Sequence, residues 1–311
     1  MTRRILFLLA VLLLSFPGFA QESFHFASRD TLDLYLDVYA PSPDADTCYC
    51  GHRKPTVLYV FGGGFIIGSR DGEFQKKWFR RLTDAGYGVV AIDYRLGMKG
   101  YRMGKGLSGL SKASYQFYRS QQMGVEDVFA AVQYLATHPV GVDVNNLVLA
   151  GSSAGAIISL AAAYEIANGH TEGLPEGFSF KGVMSFAGGI ISVDGAPEFQ
   201  SQPCPILLFH GMQDKAVAYD RFGFFGRGIW GSNYLDKQMD RKGYPHVIYR
   251  IQNRTHDVAA YMDALWEEEM DFLEQDIMLG KARTIDITVS DETLPVWGNI
   301  SVDDIYRRKQ P

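Results

Sequence analysis

The sequence predicts a single α/β domain built on a doubly wound, mostly parallel sheet with helices on both faces. Three observations predict it. Short apolar runs recur along the chain, among them "TVLYVF", "YGVVAID", "NLVLAG", "KGVMSFA", "PILLFH" and "HVIYRI". Runs of this length without polar alternation read as strands buried on both faces. Stretches of helical periodicity lie between most of them, the spacing of strand–helix–strand units. No internal repeat or low-complexity linker divides the 311 residues, a length with ample room for a core.

The first twenty residues are read apart from the fold. Arg3 and Arg4 precede an apolar run from Ile5 to Phe16, and Pro17, Gly18 and Ala20 follow. A basic start, an apolar run too short for a bilayer and small residues before a cut site describe a secretory signal peptide. Residues 1–20 are therefore expected to be removed after Ala20, sending the protein to a secreted or periplasmic location. An uncleaved anchor is the alternative, and it would have to stretch a short run across the membrane.

The domain is expected over residues 21–280. "TLDLYLDVYAP" alternates apolar and polar side chains from Leu32 to Val38, the period of a strand with one wet face, and Pro41 ends it. After a loop holding Pro43 and Gly51, "TVLYVF" is a buried strand. A helix is predicted around Phe74 to Ala85, then the strand "YGVVAID", then helices at Val125–Thr137 and Ala154–Ala167 flanking "NLVLAG". Two strands, a helix near Tyr234–Arg241, the strand "HVIYRI" and one long helix from Asp257 to Met278 complete the pattern. Residues 281–311, with "TIDITV" and a basic end, form an extension that could add an edge strand or cover a face.

Two stretches stand outside the alternation. Gly97 to Gly124 is rich in Gly, Ser, Lys, Arg and Tyr, and Ala218 to Tyr234 is rich in glycine and aromatics. Long connections in a compact domain are often functional, and an idle insertion is the alternative.

The net charge of −5 becomes −7 once Arg3 and Arg4 are removed. A nucleic-acid partner is not expected, since no overall basic field would hold phosphates. No second long apolar segment follows the start, so no stable membrane insertion is expected after signal removal. Cys48 and Cys50 are too close to pair comfortably; one of them with Cys204 would leave an odd thiol. "CYCGH" offers Cys48, Cys50 and His52, fewer donors than a four-ligand metal site needs, so loop cysteines without chemistry are expected.

The residues that carry chemistry centre on "LVLAGSSAGAIISLAAAY". A strand ends at Gly151, Ser153 occupies the middle of G-x-S-x-G, and a helix runs on from Ala154. A serine nucleophile must stand on a sharp strand-to-helix turn, and the flanking glycines keep side chains out of its way. The helix N-terminus beneath it favours developing negative charge. A serine also needs a base, and the base an orienting acid. Asp214 follows the strand "PILLFH", and His256 follows the strand "HVIYRI", so both are expected beside Ser153 at the carboxyl ends of strands. Asp220 and Asp257 compete for the acid role; Asp257 adjoins the base and suits a helix cap. His210 is the rival base, though the end of its strand suits a structural hydrogen bond, and His246 is expected to pack or face solvent.

"YVFGGGFIIGS" then acquires a meaning. A dinucleotide loop needs G-x-G-x-x-G and a phosphate loop needs Gly-Lys-Ser/Thr, and neither spacing is present. An acyl-transfer serine enzyme instead needs backbone N–H donors aimed at an oxygen that becomes charged, and glycines let the chain come close enough.

Taken together, "FGGGF" (Phe61–Phe65), "DYRL" (Asp93–Leu96), "GVDVNNLVLAGSSAGA" (Gly141–Ala156), "HGMQD" (His210–Asp214) and the Thr255–His256 pair resemble the α/β-hydrolase superfamily. The branch is that of carboxylesterases and hormone-sensitive-lipase-like esterases, and the likeness spans roughly residues 30–280. The resemblance implies a catalytic triad of Ser153, Asp214 and His256, with the N–H groups of Gly63, Gly64 and Ala154 as the oxyanion hole. It implies no metal or organic cofactor. Two departures stand out: Phe61 opens the glycine run where the family usually has histidine, and the stretch 97–124 replaces a proline-rich segment. The expected activity is hydrolysis of short-acyl or aromatic-acyl esters, including acylated carbohydrates, with Phe222, Phe224, Phe225 and Trp230 either stacking on such a substrate or packing in the core. A serine peptidase related to prolyl oligopeptidase and a binding protein on an inactive hydrolase fold are the alternatives. Asn253-Arg254-Thr255 is a glycosylation sequon beside His256, and a glycan there would crowd the site, so it is expected to be unused.

Overall fold

The structure is a computed structural model that describes residues 21–29 and 32–294; the expected signal peptide and the basic end of the chain lie outside the described residues. Apolar runs fold as the buried strands their composition requires. In chain order the elements begin with β1 (Gln21–Arg29), β2 (Leu32–Tyr39), the short β3 (Cys48–Tyr49) and β4 (His52–Arg53), then β5 (Thr56–Val60). There follow α1 (Glu73–Asp84), β6 (Gly88–Ile92), α2 (Gly106–Thr137), β7 (Leu147–Ser152), α3 (Ala154–Ala167), β8 (Gly182–Phe186) and β9 (Gly189–Ser192). The rest comprises β10 (Ile206–Gly211), β11 (Arg221–Phe224), β12 (Arg227–Gly231), α4 (Ser232–Lys242), β13 (His246–Ile251), α5 (Trp266–Asp271) and β14 (Thr284–Val289).

Nine strands form the central sheet in the order β1-β2-β6-β5-β7-β8-β10-β13-β14. From β6 to β14 every pair is parallel, while β1–β2 and β2–β6 are antiparallel. The parallel interior explains the sequence pattern: β7, β8, β10 and β13 are buried along their whole length because helices cover both faces. Strand β2, nearer the edge, keeps the alternation read from its sequence only over 33–36, with Leu34 and Leu36 inside and Asp33 and Tyr35 outside; Leu32 is exposed and Asp37 is buried. Helix α3 is buried nearly all round, which its run of Ala, Gly and Ile permits, and α1 turns only Trp78, Phe79, Leu82 and Thr83 inward.

Two expectations change, and one left open is decided. The stretch from Gly106 to Gly124 is not a loop; it is the first half of α2, one helix of 32 residues. Gly and Ser lower its intrinsic helix propensity, but Ala113, Ser120, Gln121, Gly124 and Val128 fall on one buried face, so packing decides. The long helix expected from Asp257 to Met278 is broken into a 3₁₀ turn (His256–Ala260), α5 and a π-helical stretch (Phe272–Met278). Asp257 accepts hydrogen bonds from the Thr255 N–H (2.9 Å) and hydroxyl (3.2 Å), a local bond that competes with regular helix. The segment beyond residue 280 supplies β14, an edge strand paired with β13. A second sheet, β11-β12-β9, includes the aromatic, glycine-rich stretch that the sequence left without an assigned element.

Candidate active site

The sheet brings the chemistry to one end. Val60 pairs with Gly151, so the glycine run after β5 and the serine after β7 leave the sheet side by side. Gly211 pairs with Ile251, so the loops after β10 and β13 likewise emerge together, carrying Asp214 and His256. This is the crevice at the carboxyl ends of strands where the order reverses, β5 lying between β6 and β7.

Ser153 occupies φ 52°, ψ −118°, between the end of β7 and the start of α3. A non-glycine residue there stores backbone strain of about 1–3 kcal/mol, which the surroundings must hold. Its N–H donates to the Phe186 carbonyl (2.9 Å), and its carbonyl accepts from the Ile157 N–H (2.9 Å). The glycines of the motif are there for space. A Cβ on Gly151 would overlap the backbone of Gly155, and one on Gly155 would overlap the Val60 and Phe61 carbonyls.

The Ser153 hydroxyl lies 2.8 Å from Nε2 of His256, and Nδ1 of His256 lies 2.7 Å from Oδ2 of Asp214. A carboxylate only accepts, so Nδ1 carries the proton and Nε2 is left to accept from serine. Asp214 is buried and receives more than the triad needs. Its Oδ1 accepts the N–H groups of Ala216 (2.8 Å) and Val217 (3.0 Å), and Nε2 of His210 stands 3.3 Å from Oδ2. Burial alone would raise this carboxyl, but the hydrogen bonds from His210 and His256 outweigh it and hold it well below the usual carboxylate range.

The other candidates are placed elsewhere. Asp220 accepts from Asn233 (2.6 Å), and Asp257 is taken by Thr255 and by the Tyr261 hydroxyl (2.7 Å). His210 makes the structural bonds its position suggested, to Ser232 Oγ (2.8 Å) and the Val217 carbonyl (3.1 Å), and also faces Asp214, which the sequence did not reveal. His246 is buried; its Nε2 pairs with Asp236 (3.1 Å) and its Nδ1 with the Tyr244 carbonyl (2.8 Å). Asp236, Asp240 and His246 are the one group of potential metal donors among the described residues. Arg250 already sits on Asp236 (2.5 Å), so the cluster has its cation. Cys48, Cys50 and Cys204 are all free thiols, so no pair of them forms a bridge.

The glycine run lies against the nucleophile. A Cβ on Gly62 would stand 3.0 Å from the Ser152 carbonyl oxygen and 3.3 Å from the Ser153 Cβ. Gly63 and Gly64 take φ of 119° and 64°, and Gly64 and Ala154 line the cavity that holds Ser153 and His256. Ala154 is the first residue of α3, whose leading N–H groups have no partner within the helix. Gly63 turns the loop, its carbonyl accepting from Ile66 (3.1 Å) and Ile67 (3.2 Å). Phe61 packs its ring on Tyr94 (centroids 4.4 Å apart), and the Tyr94 hydroxyl donates to the Phe61 carbonyl (3.0 Å). The loop is thus braced by an aromatic pair. Below it Tyr59 meets the Ser152 hydroxyl (3.2 Å), and burial pushes its phenol up to about 12.

The cavity measures about 180 Å³ and is mainly apolar, with Leu110, Ala113, Phe117, Ile157, Ile191 and Ile229 in its wall. Helix α2 and the β11–β12 hairpin therefore supply part of the wall. Of the four aromatics named for stacking or core packing, Phe222 reaches the cavity, Trp230 is buried, and Phe224 and Phe225 are not part of the lining. A wider, shallower groove of about 680 Å³ between β1, α2 and α3 contains none of these residues. Among the described residues no helix is long and apolar enough to cross a membrane.

Comparison with known proteins agrees with this architecture. The model of the Carboxylesterase family matches residues 20–174. Dipeptidyl peptidase 8 of Homo sapiens is 27% identical over 222 residues, covering 64% of this chain and 23% of that protein. Arylacetamide deacetylase-like 2 of Homo sapiens is 28% identical over 144 residues, covering 44% and 29% respectively. The match thus spans about a quarter of the length of each of these two relatives. Among solved structures, esterase 2 of Thermogutta terrifontis phosphorylated by paraoxon superposes with a TM-score of 0.57 at 18% identity, over 84% of this chain and 96% of that one. The chain has the α/β-hydrolase fold, and over residues 20–174 it is similar to the Carboxylesterase family.

Proposed function

We propose that the protein is a serine carboxylic-ester hydrolase. The observation that carries this reading is the relay of two hydrogen bonds, Ser153 to His256 and His256 to Asp214, opening on an apolar cavity beside glycine backbone. Ser153 Oγ attacks the ester carbonyl carbon as His256 Nε2 takes its proton. Asp214 stabilises the imidazolium through Nδ1–H. The N–H groups of Gly63, Gly64 and Ala154 receive the oxyanion of the tetrahedral intermediate. The intermediate collapses, His256 protonates the departing alkoxide, and the acyl group stays on Ser153. Water, deprotonated by the same histidine, then attacks the acyl-enzyme and releases the acid.

The modest volume of the cavity favours short-acyl or compact aromatic-acyl esters over long lipids, with acylated carbohydrates as the substrate class. Residues 1–20 act as a cleavable signal, giving a secreted or periplasmic enzyme. Similarity to dipeptidyl peptidase 8 keeps a peptidase as the second reading. Against it, no acidic side chain among the described residues lines the cavity to hold the ammonium of a peptide N-terminus.

A fluorophosphonate probe should label the wild type and leave Ser153→Ala unlabelled; an unlabelled wild type would end the enzyme reading. Nitrophenyl acetate and butyrate and acetylated sugars should turn over, while aminoacyl-proline amides should not. The reverse ranking would establish the peptidase.

A further inference from the structure

The acidic chain carries a basic region beside the cavity. From Gly97 to Gln122 there are five cations, Lys99, Arg102, Lys105, Lys112 and Arg119, and no Asp or Glu. The β11–β12 hairpin adds Arg221 and Arg227, again with no acid within it. None of the seven forms an ion pair with a described carboxylate, although the whole protein has a net charge of −5. Uncompensated charge concentrated against the overall sign selects partners of the opposite sign.

Helix α2 divides this region into two sites. Leu110, Ala113, Ser114 and Phe117 line the cavity of Ser153. On the opposite side of the helix, about half a turn around, Ser111, Lys112, Tyr115 and Gln116 line a second, open groove of about 430 Å³. Tyr101 and Arg227 complete that groove, and Arg227 makes an exposed hydrogen bond to Ser111 Oγ (2.9 Å). Tyr115 is 54% exposed. Two tyrosines, two cations, a hydroxyl and an amide in one concavity make a lining for a ring that is apolar on its faces and anionic at its edge.

We propose that this groove binds the carboxylates of an acidic polysaccharide, so that the ester delivered to Ser153 is carried on a uronate-containing glycan. The proposal rests on the esterase reading above and names its substrate class. Lys112 and Arg227 hold sugar carboxylates, Tyr101 and Tyr115 receive pyranose faces, and Ser111 and Gln116 meet ring hydroxyls. The acyl group of a neighbouring sugar unit then reaches over α2 into the apolar cavity. An anionic lipid surface is the rival occupant, because Leu107 and Phe225 are also exposed nearby. The groove favours the glycan, since its lining is concave and mixed and a lipid surface would meet a flat apolar face.

Binding and turnover of defined polymers test this. The wild type should bind polygalacturonate, leave neutral xylan unbound, and lose about tenfold in affinity as salt rises from low to several hundred millimolar. Lys112→Glu with Arg227→Glu should lower kcat/KM on acetylated polygalacturonate about tenfold, chiefly through KM, as two exposed contacts allow. Nitrophenyl acetate hydrolysis and fluorophosphonate labelling should stay at wild-type rates in that variant, so the esterase reading is scored separately. Lys112→Gln with Arg227→Gln should show the same direction, which guards against a folding defect in the charge-reversed protein. Equal binding of xylan, capture only by phosphatidylglycerol vesicles, or unchanged kcat/KM on acetylated polygalacturonate would overturn the proposal.

Discussion

Asp214 and Glu269 are both buried, 6% and 0% exposed, yet one lies at the carboxyl ends of the strands and the other where α5 packs on α1. Asp214 is surrounded by donors: two backbone N–H groups and two imidazoles. Glu269 has the indole N–H of Trp78 on Oε2 (2.8 Å), and its Oε1 has no hydrogen-bond partner among the described residues. Burial dominates at Glu269 and pushes its carboxyl well above the usual range, whereas hydrogen bonds overcome burial at Asp214 and keep it ionised. Depth alone does not decide the charge of a buried acid. The count of donors does, and only the first site is built to hold a negative charge opposite an imidazolium.

The largest break in this comparison comes from neutralising each acid. Asp214→Asn should lower kcat by about 10⁴-fold, because an amide can steer His256 into the wrong tautomer and cannot stabilise its cation. Glu269→Gln should leave kcat within about twofold, since a protonated acid and an amide are alike in shape and charge. Steady-state kinetics on nitrophenyl acetate reads both, and equal losses would dissolve the distinction.

The strand-end region also depends on backbone contact that the α1–α5 layer does not need. Gly155→Ala puts a Cβ into the Val60 carbonyl and should cost about 1–3 kcal/mol in denaturant unfolding, with activity falling further than stability. Full activity in that variant would show that the elbow tolerates the shift.

Stability against pH should separate the two acids by sign. Asp214, held low in the fold, stabilises the protein above its unfolded value of about 3.9, and that contribution is lost as pH falls toward the folded value. The Tm gap between wild type and Asp214→Asn should therefore close in acid. Glu269, held high, favours the fold fully below about 4.3 and loses that advantage as pH rises toward its folded value. Glu269→Gln should accordingly gain in Tm relative to wild type as pH climbs from about 4.3. Parallel curves for the two variants would refute the opposite shifts.

The smallest effect belongs to His246. Burial alone would lower its imidazole, but the hydrogen bonds to Asp236 and to the Tyr244 carbonyl raise it. Its contribution is present below about 6.5 and fades as pH rises through the raised value, so His246→Gln should differ most from wild type in mild acid. Thermal melts from mild acid to mild alkali check this, and a gap that widens with pH would contradict it.

Much of the architecture is legible because the signals are local. Strands β5, β6, β7, β8, β10 and β13 are apolar runs that nothing but a two-sided cover can satisfy, and G-x-S-x-G marks its own turn through the two small residues that the close backbone demands. The positions of Asp214 and His256 also follow, since each lies a few residues past the end of a parallel strand. The first half of α2 was hidden because Gly106, Ser108, Gly109 and Ser111 look like loop residues, and their helical state depends on what the buried face meets. The break after His256 was hidden for the opposite reason: Asp257 to Met278 is a plausible helix until Thr255 and Tyr261 take the Asp257 carboxylate.

The sequence by itself determined the central parallel strands and most of the helices between them, the strained serine and the loops that carry its partners, because hydrophobic period and turn geometry are properties of neighbouring residues. Only the tertiary structure decided what surrounds them. His210 came to face Asp214, α2 and the hairpin came to wall the cavity, and Glu269 was left with one donor, because each depends on residues brought together from distant parts of the chain.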